Sequence, residues 1–147
     1  MNQPAPTLPP EYGPPLSLAL AKQVMAAAEA ECARHGWPMV IAIVDSSGHL
    51  VMLHKLDQAQ YGSVEIARLK AETAFRFRRS TKIYEDLITA GGAGLRLLAL
   101  PNATPLIGGL PIVVDGKVVG AIGVSGLQPA QDEQVAQAGL AAVASGR

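Results

Sequence analysis

From Ser17 to His35 apolar residues recur at three- and four-residue steps, so that Leu18, Ala21, Met25, Ala28 and Cys32 fall on one stripe of a helix. Ser17 suits its N-cap and Gly36 its C-terminal stop. Met39 to Asp45 is a continuous apolar run, as expected of a buried strand. Ser46-Ser47-Gly48 turns the chain, and His49 to Lys55 returns as the antiparallel partner. After a loop carrying Asp57 to Gly62, Ser63 is the expected cap of a second helix reaching Phe77 or Arg78. Ser80 or Thr81 caps a third, shorter helix that stops at Gly91-Gly92. Leu95 to Leu100 reads equally as a helical turn or a short strand, and Pro101 to Pro105 as loop.

Two Val- and Ile-rich runs flank Asp115-Gly116, the pair favoured in a two-residue hairpin turn where both central residues need positive φ. This sets a hairpin over Ile112 to Ser125. Pro129, with Asp132 and Glu133 near the positive end, opens a last helix running to about Ser145. Hairpins alternating with helices indicate an α+β domain with an antiparallel sheet rather than a doubly wound parallel one. Gly108, Gly109, Gly120 and Gly123 are surplus to the turn. Two readings fit them, tight packing of sheet on helix or the wall of a binding site.

A chain of 147 residues suits one domain. Met1 to Pro15 is Pro-rich and reads as a disordered or extended arm, leaving 16–147 as the domain. The formal net charge of zero argues against a nucleic-acid surface and removes a barrier to self-association. No apolar run reaches the ~20 residues of a membrane span, and the N-terminus lacks the basic start and apolar core of a secretory signal. The lone Cys32 has no internal disulfide partner. A cytoplasmic location is the expectation.

Chemistry concentrates at few positions. On the second helix Ile66, Ala67, Ala71, Ala74 and Phe77 form an apolar stripe, and Lys70 falls on it. A lysine there snorkels to the rim, pairs with a buried carboxylate, or faces a ligand anion. His54, in phase with Met52 on the second strand, is a candidate metal ligand or proton carrier, or an exposed histidine with no role. His35 and His49 read as helix-end and turn residues. There is no His-x-x-x-His, Cys-x-x-Cys, Gly-x-Gly-x-x-Gly or Walker-type loop. Val124-Ser125-Gly126 lacks the flanks of a nucleophile elbow.

Together Ile41 to Val51, Lys70 to Ala74, Phe77 to Thr81, Gly108 to Gly116, Gly120 to Gly126 and Gln131 to Ala136 resemble, in this order, the blocks of the GlcG/HbpS-like family. The resemblance implies a profilin-like fold, a five-stranded antiparallel sheet covered by helices and assembled as dimers or higher homo-oligomers. It also implies haem as cofactor and a setting in small-molecule catabolism. Lys70, Asp57, Arg79 and the Gly108-Gly109 pair match the family pattern. Its usual Arg-x-Asp-Gly is here His54-Lys55-Leu56-Asp57-Gln58, and Ser80 stands where proline is common.

Three functional readings follow. In the first the protein binds haem in an apolar slot between the second helix and the glycine-rich strands. His54 would then be the axial ligand, Met52 a second candidate, and Arg79 or Lys70 would meet the propionates. In the second it is an isomerase, tautomerase or lyase acting on a small organic acid. The Gly108 and Gly109 amides and Arg79 would hold the carboxylate, Lys70 or His54 would move the proton, and Asp57 or Glu65 would tune them. In the third it is a non-catalytic accessory or assembly subunit.

Overall fold

A computed structural model describes residues 8–145. In chain order the elements are β1 (Glu11–Tyr12), α1 (Leu18–His35), β2 (Val40–Asp45), β3 (Leu50–Lys55), α2 (Gly62–Phe77) and α3 (Lys82–Ala90). A 3-10 helix (Gly92–Ala99), β4 (Gly109–Val114), β5 (Lys117–Ser125) and α4 (Pro129–Ser145) complete them. β5 is the hub of the five-stranded sheet. It pairs antiparallel with β2 over Gly120 to Ser125 and with β4 along its other edge, while β3 extends the sheet beyond β2. β1 runs parallel to β5, Glu11 opposite Lys117 and Tyr12 opposite Val118. The sheet is therefore mixed, antiparallel except for this one short pairing.

The unbroken apolar run of β2 is explained by burial on both faces. Ile41 and Ile43 point to a core closed by α1 and α4, which also takes Val24, Met25, Ile112, Ile122, Val124 and Val135. Val40, Ala42 and Val44 point the other way, to a smaller core of Ala67, Ala71, Ala74 and Ala121 under α2. The alanines let α2 lie close on β5. A Cβ at Gly123 would fall 2.0 Å from Ala67 O and 2.5 Å from Ala71 N, so only glycine fits there.

Local signals held at the helix and hairpin ends. Ser17 accepts the Leu20 amide, and Gly36 ends α1 at φ 68°. Asp115 and Gly116 have φ of 51° and 76°. Others need correction. α2 begins at Gly62 with Tyr61 before it, and Ser63 is not its cap; its hydroxyl is buried and accepts from Gln60 and Ser125. Leu95 to Leu100 resolves as mostly 3-10 helix. Met1 to Thr7 of the expected arm lies outside the described residues; within the rest, Glu11–Tyr12 forms β1, in keeping with the extended reading. The Tyr12 hydroxyl donates to Arg76 O at 2.7 Å, Arg78 stacks on the Tyr12 ring, and Arg78 also donates to Pro10 O. No helix is long and apolar enough to cross a membrane among the described residues.

Candidate functional site

Most of the residues singled out from the sequence fall into two groups on opposite faces of the sheet. The first centres on Lys70, which α2 directs toward the end of β5. Lys70 is 3% exposed, and its Nζ donates to Val124 O at 2.8 Å and to Asp132 Oδ2 at 2.9 Å. Of the three fates open to it, pairing with a buried carboxylate is the one realised. Asp132, in the first turn of α4, also accepts the Leu127 amide on Oδ1. Burial raises its carboxyl above the ordinary carboxylate value, a shift opposed by the Lys70 charge and its hydrogen bond.

Gly108 and Gly109 close this group from β4. A Cβ on Gly108 would lie 2.5 Å from Val124 O and 2.9 Å from Lys70 Nζ; on Gly109, 2.4 Å from Lys70 O and 2.8 Å from Thr81 Cγ2. The Gly109 amide donates to Thr81 Oγ1 at 2.9 Å. It is thus engaged within the protein rather than turned to a carboxylate ligand. The slot expected between α2 and the glycine-rich strands is filled, because the missing side chains admit α2 backbone, Lys70 and Thr81. Packing explains these glycines.

The second group lies on the α1 face. His54 is exposed near the end of edge strand β3, cross-strand from Ile41, and its Nδ1 is paired with the Glu29 carboxylate of α1. Glu29 also forms one wall of an open cleft of about 470 Å³, lined further by Cys32, Trp37, Pro38, Leu56 and Asp57. Trp37 is braced by His35, their rings stacked 4.1 Å apart at 17°. Burial, with Glu29 and Asp132 adding negative charge, pushes the Cys32 thiol up to about 11. It behaves as a packing residue rather than a nucleophile at neutral pH. Because Glu29 fixes Nδ1, Nε2 is the ring atom left for a ligand.

The remaining candidates join neither group. Arg79 is exposed and donates to Phe77 O; Glu65 is exposed and paired with Arg68. Met52 is half-buried against the α1-side core. Sequence reading missed Glu29, although it stands one turn from Met25 at the border of the buried stripe. It missed Trp37, and it took Asp132 only as a complement to the helix dipole. Among the described residues no group of three or more His, Cys, Asp or Glu is arranged to hold a bare metal ion.

A family model described as "Haem degrading protein HbpS-like" matches residues 16–141. The chain belongs to the HbpS-like family. Protein GlcG of Escherichia coli (strain K12) is 41% identical over 110 residues, which are 75% of this chain and 81% of that protein. The corrinoid adenosyltransferase PduO of Salmonella typhimurium is 32% identical over 108 residues, 72% of this chain but only 32% of PduO, so the likeness is to one part of that enzyme. Among solved structures, a PduOC:Heme complex matches this HbpS-like chain with TM-score 0.80 at 30% identity, covering 88% of this chain and 95% of that one. HbpS itself gives TM-score 0.80 at 30% identity over 88% and 90%. The profilin-like α+β expectation agrees with these neighbours, apart from the parallel β1 pairing.

Proposed function

We propose that this HbpS-like protein binds haem on the face shared by α1 and β3, with His54 Nε2 as the protein ligand to iron. The observation that carries the reading is the His54–Glu29 pair. Ligating imidazoles typically donate their other ring N–H to a carboxylate, which fixes the tautomer and raises basicity, and His54 has that partner. The adjoining cleft is within the volume range of small-molecule and cofactor sites, and Trp37, Pro38 and Leu56 supply apolar surface. Its charged lining residues are Glu29 and Asp57, so propionates are left to water rather than to Arg79 or Lys70, which lie elsewhere. Bound haem supplies iron redox and ligand-exchange chemistry. The chain itself orients the imidazole through Glu29, and Trp37, its ring stacked on His35, lines the cleft that Glu29 also borders. The PduOC:Heme structure among its neighbours supports haem as the ligand.

The binding unit in this reading is 16–147 with 1–15 as its arm. It acts in the cytoplasm as a homo-oligomer, in keeping with zero net charge and a single buried thiol. The isomerase, tautomerase or lyase reading has less support, since buried Lys70 is already bonded to Val124 O and Asp132 and Glu65 stands apart.

Haemin titration followed in the Soret region tests the proposal. The parent should give a saturable band shift, and His54→Ala should abolish or strongly weaken it. Glu29→Gln should weaken binding by roughly tenfold or more. An unchanged spectrum and affinity in His54→Ala would remove His54, and with it the cleft, from the site.

A further inference from the structure

Trp37 is the only tryptophan in the chain, and it lines the cleft beside Pro38 and Leu56. Its backbone is held from both sides. Gly36 leaves α1 in the left-handed conformation, and the Trp37 amide then donates to Cys32 O at 3.0 Å. Pro38 restricts the residue before it to extended backbone. The half-buried ring packs against the α1-side core.

A buried charge fixes what lies on the ring. Glu31 is 6% exposed, and a carboxylate so placed needs partners. Within α1 it takes the Arg34 guanidinium, and from α4 it accepts Gln134 Nε2 at 3.1 Å. The same Gln134 nitrogen is 3.3 Å from His35 Nε2, which is itself 3.7 Å from the Glu31 carboxylate. Glu31 and Gln134 thus hold one edge of the imidazole, while its face lies near-parallel on Trp37. His35 does not line the cleft, so the indole surface turned to the cleft is the part His35 leaves uncovered.

We propose that Trp37 is the residue on which a flat, conjugated ligand stacks in this cleft, and that His35 is its positioning residue. A planar ring already fixed before the ligand arrives loses little side-chain freedom on binding, so the contact costs less than one made by a mobile side chain. Stacking on an indole is indifferent to the metal at the centre of a macrocycle, whereas the His54 bond requires it. The two contributions are therefore separable. The inference rests on the haem reading for its cleft and adds the part of recognition that needs no iron.

Parallel titrations with haemin and with metal-free protoporphyrin IX test it. Trp37→Ala should weaken both by roughly tenfold or more, and Trp37→Phe should recover most of the loss. His54→Ala should weaken haemin and leave protoporphyrin IX unchanged. His35→Ala should weaken both porphyrins severalfold and change the emission of the ligand-free protein, where Trp37 is the sole tryptophan signal. His35→Phe keeps a flat ring on the indole and should restore affinity. Should Trp37→Ala unfold, the two His35 variants carry the test. Parental affinity of folded Trp37→Ala for both porphyrins overturns the inference and leaves His54 ligation standing. Parental affinity and emission in His35→Ala overturn the positioning role. A parent that binds haemin but not protoporphyrin IX overturns the stacking role alone, and one that binds neither overturns the haem reading with it.

Discussion

Lys70 and Asp132 are the residue pair whose removal separates charge from packing most cleanly. Each is nearly excluded from water, and each satisfies the other. Lys70→Met keeps the stem but leaves the carboxylate buried without its cation, which costs about 3–5 kcal/mol. Lys70→Met combined with Asp132→Leu removes both charges and should recover most of that loss. Urea midpoints of the two single variants and the double variant would measure this coupling. Additive losses in the double variant would mean that the ion pair is not what these residues contribute. The anomaly of Lys70 was legible in the sequence, because a lone cation on an apolar stripe needs an explanation. Its partner was not, being 62 residues away and brought close only by the fold. His54 was likewise legible as chemistry without its partner, since Glu29 meets it across a helix–strand contact rather than along the chain.

At the level of elements, the contact of α2 with β5 depends on absent side chains. Gly123→Ala would push a methyl into the Ala67 carbonyl of α2, and only movement of the helix could relieve it. We expect a loss of about 2–3 kcal/mol with the sheet preserved, measured by thermal or urea unfolding. A variant as stable as the parent would show that α2 is free to ride up. Pattern alone gave α1, α4 and both hairpins because each is bounded by local chemistry: Ser17 and Gly36, Ser47 and Gly48, Asp115 and Gly116, Pro129. It failed where the deciding contact is remote. Ser63 looked like a cap, but its hydroxyl is committed to Ser125. The glycines of β4 and β5 stayed ambiguous until the backbone that fills their space was seen.

Over the whole molecule, the stretch before α1 is a strap across two layers. It hydrogen-bonds β5 through Gly13 and Leu16, and it grips the end of α2 through Tyr12 and Arg78. Tyr12→Ala removes a ring contact to Phe75, a cation–π stack and a hydrogen bond, so about 2 kcal/mol of stability should go. Tyr12→Phe should recover the ring terms, and equal losses in both would assign the whole effect to the hydroxyl. A Pro-rich composition conceals such a strap, because its pairing is to a strand formed over a hundred residues later. That same strand has a temporal meaning. β1, β2 and β4 all find their partner in β5, so during synthesis each must wait with open edges until the ribosome has released Lys117 to Ser125. Until that moment the β2–β3 hairpin carries an apolar strand with one edge unpaired, the kind of surface that invites wrong pairing in a nascent chain.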